Sequence, residues 1–273
     1  MTEPWTKTEN VADTLAKMAT DSHFGTVRSL ESALRLLAKW RCSLINRTIV
    51  AQHGVTVQAG PFKGMRFTGK SSEGANAPRL LGCYEAELHA LVEEIVTSGF
   101  DCIVDIGCAE GLYAVGFAYR MPRVEIFAFD INPDAQQKCS ELAERNGVDK
   151  RVKVGGKFRG DDFSTFLGRR ALIFVDVEGA EDDLLRPDLY RALRSLTVLV
   201  ECHDSFKPGP SKRIEERFAV THAVRTIHPK LHCPTSLPSW MSKISHLDQL
   251  LALWEWRIGP TPWLYKTPLG TKV

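Results

Sequence analysis

Between residues 101 and 204 short apolar runs alternate with helix-patterned segments, and this rhythm constrains the fold more than any other feature of the chain. DCIVDIG, VEIFAFDIN, RVKVGGKF, ALIFVDVEG and LTVLVECHD read as strands; GLYAVGFAYRM, PDAQQKCSELAERNGV and EDDLLRPDLYRAL carry helical spacing between them. A strand covered on both faces needs a nearly continuous apolar run, and strands separated by helices run parallel. IEERFAVTHAVRTIHP adds a helix and a sixth strand, HLDQLLALWEWR a helix, and TPWLYKTP a closing strand. The pattern predicts an α/β fold: a Rossmann-like, seven-stranded, mostly parallel sheet with helices on both faces.

Ahead of that rhythm, apolar positions from Leu30 to Ile45 recur at three- and four-residue steps, which predicts a helix over residues 27–50. VTVQAGPFKGMRFTG then predicts a β-hairpin, and LLGCYEAELHALVEEIVTSG one amphipathic helix ending at Gly99. We divide the chain into a helical and hairpin N-terminal extension, residues 1–80, and a catalytic domain, residues 81–273.

The net charge of +2, with Lys and Arg scattered rather than blocked, argues against nucleic acid or an anionic membrane as partner. No apolar run is long enough to span a bilayer and the N-terminus has no signal-like apolar segment. Seven cysteines without a CxxC pair read as reduced thiols and argue against zinc. We expect a cytoplasmic protein.

The loop after the first strand, DIGCAEG, holds Gly107, Ala109 and Gly111 at alternate positions behind Asp105. Small residues let backbone N–H groups and a helix N-terminus approach a ligand, but the spacing is not the dinucleotide GxGxxG. Asp105 would repel a pyrophosphate and favour a ligand carrying an ammonium. Asp130 ends the second strand about 20 residues on, the separation expected of an acid that takes a ribose hydroxyl pair.

DIGCAEG followed by AFDINP resembles the first two motifs of class I S-adenosylmethionine-dependent methyltransferases, with Ala109 in place of the usual middle glycine. VDVEGAE and GLYAVG resemble the FkbM-like branch, mostly O-methyltransferases, although Phe174 stands where that branch usually has Lys. The likeness covers roughly residues 57–205. It implies a cofactor cradle of Asp105, Gly107, Cys108, Ala109, Glu110 and Gly111, a ribose site at Asp130 and Ile131, and an adenine contact from Asp161 or Asp162.

Ligands of an open parallel sheet bind beyond the carboxyl ends of its strands. The ends of strands four and five supply Asp176, Glu178, His203 and Asp204. His203 is the best single base, because its ordinary pKa lies near working pH; Asp176 or Glu178 could orient it or take the proton directly, and Asp176 also borders the cofactor. The placement of Asp176, His203 and Asp204 also resembles metal-dependent catechol-type O-methyltransferases, which implies Mg²⁺ or Mn²⁺. Glu181, Asp182 and Asp183 read as acids complementing a helix N-terminus. Trp254, Trp256, Trp263 and Tyr265 read as core before acceptor wall, and residues 207–213 as a lid.

The expected activity is methyl transfer to an oxygen of a small-molecule or sugar-like acceptor. N-methylation on the same fold and a non-catalytic S-adenosylmethionine-binding domain are the alternatives. The helical N-terminus is a candidate homodimer element.

Overall fold

The computed structural model describes residues 7–69, 75–205, 208–230 and 237–270. Two helices open it, α1 (Thr8–Ala19) and α2 (Val27–His53). Thr26 caps α2 by accepting the Ser29 N–H, and Gly54 in a left-handed conformation ends it. The expected hairpin is reduced to one antiparallel bridge, Thr56 with Arg66, flanked by Val57 N–H to Met65 C=O (2.9 Å) and Phe67 N–H to Val55 C=O (2.7 Å). Val57, Met65 and Phe67 are buried while the bridge partners Thr56 and Arg66 face solvent, so the expected two-residue alternation is present but spans only this short stretch.

The single helix expected over residues 80–99 is two helices, α3 (Asn76–Leu81) and α4 (His89–Thr97), joined by a 3-10 turn. Gly82 breaks it: its backbone is left-handed, and a Cβ there would lie 2.0 Å from the Ala59 carbonyl oxygen. Glu85, also left-handed at φ 49°, completes the break.

The alternating region then follows its sequence closely: β1 (Cys102–Ile106), α5 (Leu112–Arg120), β2 (Glu125–Phe129), α6 (Pro133–Arg145), β3 (Val152–Gly155) and β4 (Ala171–Val175). After β4 comes α7 (Glu181–Leu184), far shorter than expected because Pro187 cannot extend it; residues 191–195 form only a 3-10 turn. The rest is β5 (Thr197–Glu201), α8 (Pro210–Phe218), β6 (His222–Ile227), α9 (His246–Leu253) and β7 (Trp263–Pro268). The last helix stops before Trp256, whose φ of 68° no α-helix accommodates.

The seven strands form one sheet in the order β3-β2-β1-β4-β5-β7-β6. All neighbours are parallel except β7, which runs antiparallel between β5 and β6. β1 and β4 are buried at every position, as their continuous apolar runs require. One face packs under α4 and α5, and its core includes Ile45, Ile49, Met65 and Phe67 together with Phe117, Phe174 and Trp263. The N-terminal extension therefore shares a core with the sheet. The other face holds Phe163, Ile173, Leu193, Val198 and Phe218. Six cysteines among the described residues are buried free thiols. Among the described residues no helix is long and apolar enough to cross a membrane.

The strand order reverses direction between β1 and β4, so the segments that leave their carboxyl ends pass to opposite faces of the sheet and open a crevice.

Candidate active site

The glycine turn and the end of β4 meet in that crevice. A Cβ on Gly107 (φ 87°) would lie 1.7 Å from the Asp176 carbonyl oxygen, so only glycine lets the two segments pass. Gly111 is tied to the next layer: a Cβ there would lie 2.7 Å from Cys139 Sγ on α6. Ala109 takes φ 45°, a left-handed conformation at the position where the family resemblance expects glycine. Its N–H donates to Asp130 Oδ2 at 3.0 Å, while Asn132 N–H donates to Oδ1 at 2.8 Å. Each carboxylate oxygen keeps a further lone pair, so Asp130 can still accept a pair of hydroxyls.

Asp105 is buried and its Oδ2 has no hydrogen-bond partner. Burial, with the nearby Asp130 charge, pushes its pKa up to about 7, against a backbone hydrogen bond from Ala114. A buried carboxyl with one unpartnered oxygen beside a tight turn suits a cationic ligand without phosphate. The other cofactor expectations divide. Cys108 is buried, and its N–H donates to the Phe129 carbonyl. Glu110 is buried and ion-paired to Arg79 (2.6 Å), so its side chain belongs to the support of the turn. Ile131 is exposed on the rim, Asp161 is exposed, and Asp162 is engaged in accepting the Arg159 N–H at 2.7 Å.

At the mouth of β4 and β5 the structure brings together more than the sequence suggested. His203 is buried, and its Nδ1 is hydrogen-bonded to Glu181 Oε1. Glu181 is fully buried and also accepts the Gly179 N–H at 2.9 Å. This corrects the assignment of Glu181 to its helix: α7 is a single turn, and its first acid folds inward to hold the imidazole. The Nε2 side of the ring faces three carboxylates: Asp176 Oδ1 at 3.7 Å, Glu178 Oε2 at 3.6 Å and Glu201 Oε2 at 3.6 Å. All three lie beyond hydrogen-bond distance and put negative charge around Nε2.

Burial alone would lower the His203 pKa; Glu181, Glu201 and Glu178 outweigh it and hold it above its ordinary value. Asp176 is 30% exposed as a side chain, yet its Oδ1 is sealed and has no hydrogen-bond partner. Desolvation and the charges of Glu201, Glu85 and Glu178 push its pKa well up. Glu178 is mostly exposed and stands at φ 50°, one of four non-glycine residues with positive φ among the described residues, with Glu85, Ala109 and Trp256.

Asp204 does not join the group. Its carboxylate accepts from the Ser211 N–H (3.0 Å) and the Ser211 hydroxyl, satisfying the open first turn of α8. The cluster able to hold a metal is Asp176, Glu178 and His203, each with one donor atom within 4.8 Å of the others. Residues 210–213, expected in a lid, are the first turn of α8; Lys207 lies outside the described residues.

A further set of residues gathers around Arg257. Arg257 gathers Glu201 (2.6 Å), Glu255 (2.9 Å), Glu85 (3.2 Å) and Glu87 (3.3 Å), and Tyr113 donates its hydroxyl to Glu85. Four carboxyl groups surround one guanidinium, and burial with the charge of Glu201 pushes the Glu85 pKa well up against the pull of Arg257. Trp263 and Tyr265 are core, whereas Trp254 and Trp256 lie under the cations of Arg35 and Lys39.

No protein-family model and no curated protein matches the chain. Solved structures do. The O-methyltransferase TomG from Streptomyces achromogenes, in complex with SAM, is 12% identical at a TM-score of 0.46, over 70% of this chain and 82% of that one. The precorrin-6y C5,15-methyltransferase from Geobacter metallireducens is 12% identical at 0.41, over 65% and 87%. An RNA methyltransferase from Salinibacter ruber, in complex with S-adenosyl-L-homocysteine, is 16% identical at 0.34, over 63% and 83%. At such levels the fold class stands on this chain's own strand order, and its chemistry on its own residues.

Proposed function

We propose that the chain is an S-adenosylmethionine-dependent methyltransferase acting on a hydroxyl of a small-molecule acceptor, with His203 as proton acceptor. The observation that carries the reading is the contact of Gly107 with the Asp176 backbone, which joins an acid-lined, phosphate-averse turn to the end of β4 that His203 Nε2 faces. S-adenosylmethionine, when bound, supplies an electrophilic methyl group on a sulfonium. The chain's residues do the rest. Asp130 and the backbone of residues 107–111 hold the nucleoside and the amino-acid end. Glu181 fixes the imidazole, so Nε2 can take a hydroxyl proton at one defined place. That arrangement supports oxygen over nitrogen, since a hydroxyl must lose its proton to become a good nucleophile whereas a free amine need not.

Calorimetry with S-adenosylhomocysteine tests the cofactor half: Asp130→Ala weakens binding at least tenfold, and unchanged affinity removes the ribose assignment. Label transfer from S-adenosylmethionine to a panel of hydroxyl- and amine-bearing compounds tests the rest. His203→Ala abolishes transfer and keeps cofactor affinity; a chain that binds cofactor and labels nothing across the panel is a binding domain instead.

The cluster of Asp176, Glu178 and His203 supports a second reading, in which these three hold Mg²⁺ or Mn²⁺ that lowers the pKa of the acceptor hydroxyl. Full activity in chelator excludes it.

A further inference from the structure

α2 is about 40 Å long and its two halves meet different surroundings. Its C-terminal half buries Cys42, Ile45 and Ile49. Its N-terminal half leaves Val27 74%, Leu30 50%, Leu34 66% and Leu37 41% exposed. At 100° per residue these four fall within an arc of about 80° that also contains Ile45. In the second half the same arc carries Arg41, Thr48 and Gln52, so the exposed apolar stripe is confined to the first half of the helix. The neighbouring positions are taken: Trp40 Nε1–H donates to Thr8 of α1, and Arg41, which ends the stripe on the same arc, pairs with Asp248 of α9 at 2.7 Å.

We infer that this half-stripe is a homodimer seam, covered by the same half-helix of a second copy running antiparallel. The spacing of the four residues is the argument. Val27, Leu30, Leu34 and Leu37 are separated by three, four and three positions, a series that reads the same in both directions. A two-fold axis through the middle of the series sets Val27 against the partner's Leu37 and Leu30 against the partner's Leu34, so every layer is apolar on both sides. That is the self-complementarity an isologous interface requires, with the a/d spacing of helix packing. Per copy the stripe leaves roughly 400 Å² of apolar surface in water, within the range of the largest patches on monomers, which are often functional. Two copies with their polar flanks cover about 1,000 Å², enough for a specific dimer. The seam is independent of the cofactor reading.

Sedimentation velocity on the full chain tests it. The expected mass is twice the 30.5 kDa of one chain. Leu30→Glu with Leu34→Glu, both at exposed positions, returns the 30.5 kDa species with an unchanged far-UV circular dichroism spectrum. Oxidising a mixture of Leu30→Cys and Leu34→Cys chains cross-links the heterodimer in preference to either homodimer. A wild-type monomer at every concentration up to the solubility limit overturns the proposal. So does a dimer that survives the double substitution, a preference for cross-linked homodimers, or a monomer whose stripe binds anionic vesicles instead.

Discussion

Lys266 offers the sharpest test of how this interior is built. It stands on β7 between β5 and β6, opposite Val198 and Val224, with no exposed surface. Its Nζ has no hydrogen-bond partner among the described residues and lies 5.2 Å from the centroid of the Phe218 ring. Burial drives its pKa down to about 7, against the pull of Cys202 and Glu215. The unfolded chain holds that proton up to about pH 10.4. Between the two values the unfolded state binds one more proton than the folded state, so stability rises with pH at about 1.4 kcal/mol per unit. Falling from pH 10.4 to 7 therefore costs about 4–5 kcal/mol, a loss that levels off below the folded pKa. Lys266→Met keeps the length of the side chain and removes the titration. Urea denaturation of both proteins at matched pH gives the difference directly, because the other ionisable groups cancel. The advantage of the methionine variant should shrink by about 2.7 kcal/mol between pH 7.5 and 9.5. A difference that does not change with pH would mean that the folded protein keeps this amine charged, and the argument from burial fails.

Three further outcomes follow from the crevice. Glu181→Gln removes the nearest negative charge from His203, so the imidazole pKa falls and the acid limb of kcat/KM moves to lower pH; a limb that stays in place would unseat His203 as the titrating base. Gly107→Ala should lose more than about 2 kcal/mol of stability, read by urea denaturation, together with measurable S-adenosylhomocysteine binding, since its Cβ collides with the Asp176 backbone at a left-handed φ. Asp204→Ala should cost about 1 kcal/mol, read as a lower melting temperature, through the lost contacts with Ser211 and leave cofactor affinity intact; loss of Mn²⁺ binding in that variant alone would return Asp204 to the metal group.

Where an element depends on a continuous apolar run, it was legible. β1 and β4 are buried at every residue, and runs such as CIVDI and ALIFV have few other stable fates. The tight turn after β1 was legible for a similar reason: closely spaced small residues after a strand have a local backbone consequence, seen in the left-handed Gly107, Ala109 and Gly111. Helix lengths were harder to read. The apolar spacing of residues 80–99 continues through Gly82 and Glu85, but Gly82 packs against the Ala59 carbonyl, 23 positions earlier in the chain, and the helix yields to that contact.

The acids show the same division. Asp176, Glu178, Glu181 and Asp204 looked alike as carboxylates near strand ends, and their fates differ because each meets a different partner. Glu181 turns inward to His203, Asp204 outward to Ser211, and Glu178 stays mostly in water. Arg257, more than fifty residues after β5, draws Glu201 into a group with Glu85 and Glu87 from before β1. No local pattern encodes such a meeting.

The sequence by itself determined the sheet, its order of elements and the glycine turn after β1, because hydrophobic periodicity and glycine conformations act over a few residues. Only the tertiary structure decided which acid holds His203, which one faces the crevice and which merely caps a helix. The affinity of a carboxylate for a proton, an imidazole or a backbone N–H depends on burial and on neighbours within a few ångströms, and the fold alone sets both.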